Sequence, residues 1–341
     1  MHFTFAIGNP PYQDDSKGDN DAYMPPVYDK FLDATFSVAD KVEMIHPARF
    51  LFNAGRTSKD WNRKMLQDTH FKVLSYEKDS SKIFADTEIK GGIVVSYRDA
   101  QKDFGAIKIF SQESELNGIN HKVMKHYEHD LTEIIFLQNK FNLNALYNDF
   151  PRYREIIGSD GKDKRFRNNI FDKIDAFTDE PSAEDDFCIL GVHGNKRVWK
   201  YIRRKYVEQR DTNILKWKVF VSRVNGTGRL GEVLSPPVIA EPNSGFTQTF
   251  LGIGAFDSKN EAENLLKYLK TKFLRTMLAI LKVTQDNSRE TWKMIPLQDF
   301  SSSSDIDWTQ SVHDIDQQLY KKYELTDEEQ AFIESHVKEM D

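Results

Sequence analysis

The residues that could carry chemistry stand almost at the start of the chain, where Asn9, Pro10, Pro11 and Tyr12 follow a short apolar run at residues 3–7. Such a run is typical of a buried strand. The prolines fix the backbone of the loop after it, because each ring locks its own φ and restricts the residue before it. The loop would present a side-chain amide, a carbonyl oxygen with no N–H group beside it, and an aromatic ring. Those groups suit a flat ligand that carries an exocyclic amino group.

The same segment resembles the catalytic motif of the DNA adenine-N6 methyltransferases of restriction–modification systems, in which Asn-Pro-Pro-Tyr follows a hydrophobic strand. The resemblance implies that the Asn9 side-chain oxygen and the Pro10 carbonyl accept hydrogen bonds from the adenine amino group, with Pro11 completing the motif. It implies that Tyr12 stacks on an adenine flipped out of the duplex and that S-adenosylmethionine donates the methyl group. The alternative interpretation is a proline turn after a buried strand.

Two later strand ends supply candidates for the pocket around that base. The apolar run at residues 42–45 predicts a strand that leads into His46 and Phe50. The resemblance implies that this strand end lies beside the catalytic loop; a packed histidine is the alternative for His46. The run at residues 93–97 ends in Tyr97, and the resemblance implies that this ring covers the second face of the adenine. An ordinary strand aromatic is the alternative for Tyr97.

A helix is predicted between the first two strands, because Pro25 and Pro26 suit a helix start and apolar residues follow at helical spacing. Its function would be to cover the sheet. The residues predicted to face the sheet are Val27, Phe31, Ala34 and Val38.

The bulk composition is that of a soluble globular protein. A chain of 341 residues is long enough for two or three domains. The net charge of −6 argues against a uniformly basic surface, so DNA binding requires local basic faces. A single cysteine, Cys188, excludes an internal disulfide. The sequence has neither an apolar run that approaches a membrane span nor a signal-peptide pattern, and we expect a cytoplasmic location.

One such basic face is predicted between residues 196 and 223, where cations and aromatic residues alternate. A solvated charged helix is the common alternative for a charged run, but one-sided positive charge favours contacts with the phosphates of double-stranded DNA. The residues predicted to contact DNA are Lys196, Arg197, Lys200, Arg203, Arg204, Lys205 and Arg223.

The order of these features predicts an α/β protein. Residues 1–110 would form the C-terminal half of a Rossmann-like methyltransferase sheet, and residues 111–255 an α+β target-recognition domain. Residues 256–341 would form a helical C-terminal region, with capping boxes at Ser258 and Thr326.

The S-adenosylmethionine pocket of the family is built from a glycine loop and acidic residues on strands that precede the catalytic loop. The resemblance covers only the later, catalytic half, so we expect a partner chain or a missing segment to supply the cofactor-binding half. The cofactor-binding residues are therefore unknown, and no metal site is expected.

Two other functions are compatible with the sequence. The first is a catalytically inactive DNA-recognition or specificity module. The second is a restriction endonuclease, because Glu88 and Lys90 form the Glu-x-Lys half of a common magnesium-dependent nuclease motif that Asp79 or Asp86 would complete. The same stretch already resembles the methyltransferase strand entry, which makes the nuclease the weaker alternative.

Overall fold

A computed structural model describes residues 2–14, 25–52, 55–85, 89, 91–111, 113–126, 128–157, 164–210, 213–282 and 284–340. Helices and strands occur in both of the units into which the chain divides, Met1–His121 and Lys122–Asp341. The predicted division into residues 1–110, 111–255 and 256–341 stays a prediction.

The first unit is built on a sheet of four strands. Its strands and helices are β1 (Phe3–Gly8), α1 (Tyr28–Val38), β2 (Ala39–Pro47), α2 (Lys59–Gln67), β3 (Phe71–Glu77) and β4 (Ile93–Asp99), and α3 (Ser114–Lys125) contains the boundary between the units. The strand order is β1-β2-β4-β3. Strands β1 and β2 are parallel and α1 joins them, because parallel neighbours need a crossover connection. Strand β4 is antiparallel to both β2 and β3.

Helix α1 forms where it is predicted, but it buries a different face. Tyr28 and Leu32 are 4% and 0% exposed, whereas Phe31 and Val38 are 46% and 39% exposed. Residues 28 and 32 are four apart and therefore also share one side of a helix. This side packs towards β2, so the predicted sheet-facing stripe was wrong.

Strand β1 contacts the core on one face only, and even there Thr4 is exposed and Ala6 is half-buried. Ala6 packs against the core of the first unit, whereas Phe3, Phe5 and Ile7 are 47%, 47% and 72% exposed. Among the residues that the structure describes, β1 pairs with β2 alone and is an edge of the sheet. The expectation of a buried strand is therefore wrong for the face that carries the large side chains.

The second unit contains two sheets and a set of C-terminal helices. Its strands and helices are β5 (Ile135–Phe136), α4 (Leu143–Asp149), α5 (Tyr153–Ile157), α6 (Ile170–Lys173), β6 (Phe187–His193), β7 (Lys196–Ile202), β8 (Trp217–Ser222), β9 (Val238–Ala240), β10 (Ser244–Phe246), β11 (Phe250–Phe256), α7 (Lys259–Lys270), α8 (Lys272–Leu281), α9 (Val312–Lys322) and α10 (Asp327–His336). One sheet has the order β10-β6-β7 and the other the order β5-β11-β8-β9.

The C-terminal helices begin as the sequence predicts. Ser258 and Glu261 form a capping box at the start of α7, and Thr326 and Glu329 form one at the start of α10, which confirms both predictions. Helix α7 packs against β8 and β11. In the described part of the chain, every helix is too short or too polar to cross a bilayer.

Candidate active site

The Asn-Pro-Pro-Tyr segment forms the loop that follows β1. Gly8 pairs with Met44 near the ends of two parallel strands, so the loop lies at the carboxyl edge of the pair, where open α/β sheets bind ligands. Pro10 is buried, whereas Asn9 and Pro11 are exposed. The buried ring anchors the loop, and the Asn9 side chain remains accessible to a ligand.

Tyr12 lies between Asn9 and a second aromatic residue, Phe84. The ring centroids of Tyr12 and Phe84 are 6.4 Å apart, with an interplanar angle of 67°. Burial raises the pKa of the Tyr12 hydroxyl, and the neighbouring Asn9 side chain has a smaller, opposite effect on that pKa. The hydroxyl oxygen is inaccessible to solvent, and no group of the described residues makes a well-formed hydrogen bond with it. The loop therefore brings an amide and an aromatic ring together, and Phe84 adds a second ring.

His46 is a packed core residue. Its ring centroid lies 5.6 Å from those of Tyr28 and Phe50. Its Nε2 lies 2.8 Å from Ser96 Oγ, and its Nδ1 lies 3.3 Å from the Pro47 carbonyl oxygen. Burial lowers the pKa of His46 to about 4, so the imidazole is neutral at pH 7. The side chains of His46 and Phe50 are both fully buried and offer no open surface to a base.

The low pKa of His46 predicts how the stability of the protein depends on pH. The unfolded chain binds a proton near pH 6.5 and the folded chain only near pH 4, so acidification favours unfolding between these values. We expect the free energy of unfolding to fall by up to about 3 kcal/mol from this residue across that window. Urea titrations at pH 7.5 and pH 4.5 on the wild type and His46→Phe measure it.

Comparing the wild type with His46→Phe isolates the contribution of His46 to the pH dependence of stability. Burial also raises the pKa of Asp316 to about 6, which gives a pH dependence of the opposite sign in an overlapping range. That contribution is common to the wild type and the variant and cancels in their difference. Equal losses of stability in both proteins would contradict the assignment of a neutral, buried His46.

Tyr97 lies on the opposite face of the sheet from His46. In the pairing of β2 with β4, His46 is opposite Val94, whereas Tyr97 is opposite Glu43. Residues 94 and 97 differ in parity along β4, so their side chains point to opposite faces. The Tyr97 ring contacts Phe104, with centroids 6.0 Å apart. The structure therefore does not bring Tyr97 together with His46, and the aromatic neighbour of the catalytic loop is a different residue.

That residue, Phe84, was missed as a site residue. It follows β3, in the connection to β4, and a ring in a connecting segment gives no periodic signal. Phe84 lies in a loop that returns to the carboxyl edge of β1. That position could have indicated it as a site residue, because binding residues are concentrated on such loops.

The basic stretch between residues 196 and 223 lies in the second unit, and carboxylates from distant segments neutralise much of its charge. Its ion pairs with carboxylates outside the stretch include Lys200–Asp179 at 2.5 Å, Arg203–Asp186 at 3.1 Å, Lys205–Asp149 at 2.5 Å and Arg223–Asp286 at 3.4 Å. Arg210 pairs with Glu208 inside the stretch at 3.4 Å. The stretch does not form the one-sided positive face that its own sequence predicts.

Three other predicted DNA contacts lie in the same stretch. Arg197 donates to the Pro236 carbonyl at 2.5 Å and to Ser222 Oγ at 2.9 Å, and these bonds hold its guanidinium against the protein. Arg204 donates to Gln209 Oε1 at 3.1 Å. Lys196 is exposed, and no carboxylate of the described residues pairs with it.

The nuclease alternative falls mostly outside the described residues. Asp86, Glu88 and Lys90 are not among them, whereas Asp79 is exposed and caps a short turn by accepting from the Ser81 N–H. Within the described ranges, no group of His, Cys, Asp and Glu side chains could hold a metal ion.

The described residues beside the catalytic loop do not by themselves fit a methyl-donor cofactor. The glycine-rich run of the chain lies in the other unit, at residues 226–231. Its backbone is occupied by an internal carboxylate, because Glu232 accepts from the N–H groups of Thr227 and Gly228 at 2.8 and 3.0 Å. Burial raises the pKa of Glu232, but these bonds and one from the Thr227 hydroxyl outweigh it and lower the pKa to about 2, so the backbone of this glycine run is already occupied.

Comparison with known families bears on the first unit. Residues 1–84 match the Eco57I restriction-modification methylase family. The matched residues include the complete Asn-Pro-Pro-Tyr segment and also Phe84. This Eco57I-like part, residues 1–84, is therefore similar to the DNA methylases of restriction–modification systems.

Two solved structures of restriction–modification enzymes are similar to a longer part of the chain. The type IIG restriction endonuclease BpuSI has 10% identity and a TM-score of 0.31, with 86% of this chain and 44% of that chain covered. The type IIL enzyme MmeI, solved in complex with DNA, has 10% identity and a TM-score of 0.27, with 85% of this chain and 45% of that chain covered. The chain thus spans less than half the length of either. A comparison with curated proteins gave no match.

Proposed function

We propose that this chain contributes the catalytic loop for methylation of adenine N6 in double-stranded DNA, with S-adenosylmethionine as the methyl donor. The observation that carries the proposal is an Asn-Pro-Pro-Tyr loop at the carboxyl end of a strand within the Eco57I-like part. The match of residues 1–84 to a methylase family supports methyl transfer to DNA as the reaction. The Asn-Pro-Pro-Tyr loop supports adenine as the methylated base.

Asn9 and Pro10 bind the adenine amino group in this proposal. The Asn9 side-chain oxygen and the Pro10 carbonyl accept its two hydrogens, and Pro11 leaves no N–H group to compete for that carbonyl. The amino lone pair, otherwise delocalised into the ring, is then directed out of the base plane. As the nitrogen becomes tetrahedral and positively charged, both acceptors bind it more strongly, so they stabilise the transition state more than the substrate.

Tyr12 and Phe84 bind the base itself. An adenine removed from the duplex loses stacking on both faces, and an aromatic ring restores about 1–3 kcal/mol per base. The two rings lie close to each other and Asn9 lies beside one of them, so ring contacts and amino-group contacts occur at one place. We assign stacking on the base to Tyr12 and the second ring contact, inclined at 67° to the first ring, to Phe84 instead of Tyr97.

A second segment supplies the cofactor-binding half, on a separate chain or on a longer form of this one. The free edge of β1 supports this part of the proposal. The edge strand β1 contains no charged residue and no proline. Its side chains Phe3, Phe5 and Ile7 point to one open face. Native proteins usually protect such edges, so an apolar edge of this kind is suited to receive another strand.

Nucleoside analysis of methylated DNA tests the proposed reaction. The chain is combined with the product of the coding sequence directly upstream, plasmid DNA and S-adenosylmethionine labelled in the methyl group. We expect the label in N6-methyl-2′-deoxyadenosine after digestion of the DNA to nucleosides. The control is the same mixture with Asn9→Ala.

Label in a cytosine derivative would contradict the choice of adenine. DNA binding without any methylation, in a mixture that binds S-adenosylmethionine, would favour the alternative of an inactive DNA-recognition module. Cleaved plasmid would favour the endonuclease.

A further inference from the structure

A basic cleft lies in the second unit, where Lys205 and residues 207–210 of the basic stretch meet residues 141–145 and Lys164. Three backbone segments form it: Phe141 donates its N–H to the Lys164 carbonyl at 2.6 Å, and Asn142 donates to the Tyr206 carbonyl at 2.8 Å. The cleft has a volume of about 670 Å³ and is open to solvent. Main-chain hydrogen bonds thus join the segments that form its walls.

Two amide side chains of the cleft stabilise its walls. Asn142 donates to the Lys205 carbonyl at 3.2 Å and accepts from the Ala145 N–H at 3.4 Å. Gln209 donates to the Val207 carbonyl at 2.9 Å. Both amides are bonded to the backbone, so the polar side chains of the described lining left to contact a ligand are the charged ones and the exposed amide of Asn144.

Among the described residues that line the cleft, positive charge exceeds negative charge. These residues include Lys164, Lys205 and Arg210 against one carboxylate, Glu208. No carboxylate of the described residues pairs with Lys164, whereas Lys205 pairs with Asp149. Arg210 lies 3.4 Å from Glu208, but its side chain is 89% exposed and stays available to a second anion. The cations most available to a ligand are therefore Lys164, which no described carboxylate pairs, and the highly exposed Arg210.

The lining favours duplex over single-stranded nucleic acid. Proteins that hold single strands stack bases on exposed aromatic rings. The one aromatic side chain that lines the cleft among the described residues is Phe141, and it is 1% exposed. Cations on an open cleft, without a stacking surface, suit a sugar–phosphate backbone.

We propose that this cleft is the phosphate-contact site for double-stranded DNA, with Lys164 and Arg210 as its contacting residues. The inference rests on the proposed function for its choice of DNA as the polyanion. Within the stretch at residues 196–223 it selects Arg210, whose side chain is 89% exposed, over the paired cations Lys200, Arg203 and Lys205, whose side chains are 15%, 47% and 57% exposed.

Salt titrations of DNA binding test the cleft. The full chain and its Lys164→Ala, Arg210→Ala and double variants are titrated against a fluorescent 30-base-pair duplex by anisotropy, between roughly 50 and 200 mM salt, where phosphate contacts dominate affinity. Each single variant should lower the slope of log K against log salt by about 0.9, and the double variant by about twice that. Thermal melts confirm that the variants fold.

Matched controls come from the same unit. Lys321 and Lys338 are exposed lysines that do not line the cleft, and Lys321→Ala and Lys338→Ala should keep the wild-type slope. Equal slope losses in cleft and control variants would overturn the proposal, as would unchanged slopes in the cleft variants.

Failure of the cleft and failure of the proposed function give different results. If the wild type binds duplex and the cleft variants bind it equally well, the cleft assignment is overturned and the proposed function stands. If the wild type binds no duplex even at low salt, both are overturned. Tighter binding of a stem-loop RNA with the same slope losses would overturn the choice of DNA.

Discussion

Replacing Asn9 with Ala should lower the rate of methyl transfer about 10²–10³-fold, the usual effect of losing one transition-state hydrogen bond. The amide contributes most when the adenine nitrogen becomes positively charged, so the loss should appear in kcat more than in KM. DNA affinity should change little, because phosphate contacts carry most of it. Methyl transfer to plasmid DNA is measured with the cofactor-binding half supplied, and DNA binding is measured in parallel.

Gln13→Ala is the matched control for Asn9→Ala. Gln13 is an exposed amide just after the motif, and its loss should leave methyl transfer near the wild-type rate. If Asn9→Ala methylates at the wild-type rate in the assembled protein, Asn-Pro-Pro-Tyr is only a turn here and the proposed reaction is wrong.

The strand and loop around Asn9–Tyr12 were predictable because their determinants are local. The prolines, the glycine before them and the apolar run at residues 3–7 specify a strand followed by a rigid loop within one short segment. The capping boxes at Ser258 and Thr326 were predictable for the same reason, since residues three positions apart determine each of them.

The faces of strands and helices were less predictable. The segment Ile93–Asp99 is apolar at almost every early position, so its alternation does not reveal which face Tyr97 takes. Only the register of β4 against β2, with Tyr97 opposite Glu43, decides it. The open face of β1 could not be predicted either, because the apolar character of a strand does not reveal whether another part of the protein covers it.

Charge compensation could not be inferred from the basic stretch itself. Arg203 pairs with Asp186 and Lys205 with Asp149, and these carboxylates are distant in sequence. A charge count over a local window treats such cations as free. Lys164 lies outside the basic stretch and Arg210 lies within it, and the fold brings them to one cleft.

Replacing Phe84 with Ala should reduce kcat/KM for methyl transfer about 5- to 150-fold, which corresponds to the 1–3 kcal/mol of one base–aromatic stacking contact. The ring lies beside Tyr12, so its loss removes one of the two surfaces that hold the flipped adenine. Tyr12→Ala should have an effect of the same order. Methyl transfer to plasmid DNA by the assembled protein gives both values.

Tyr97→Ala is the control that separates the structural assignment from the sequence-based one. Tyr97 belongs to the same sheet, but its ring packs on Phe104 and lies on the opposite face from His46. Its replacement should therefore leave kcat/KM within about twofold, since a contact that is absent contributes no stacking energy. A large loss in Tyr97→Ala with a wild-type rate in Phe84→Ala would restore the assignment made from sequence. Comparable losses in both would mean that the base contacts both rings, which requires the sheet face that carries Tyr97 to open onto the same pocket as Tyr12.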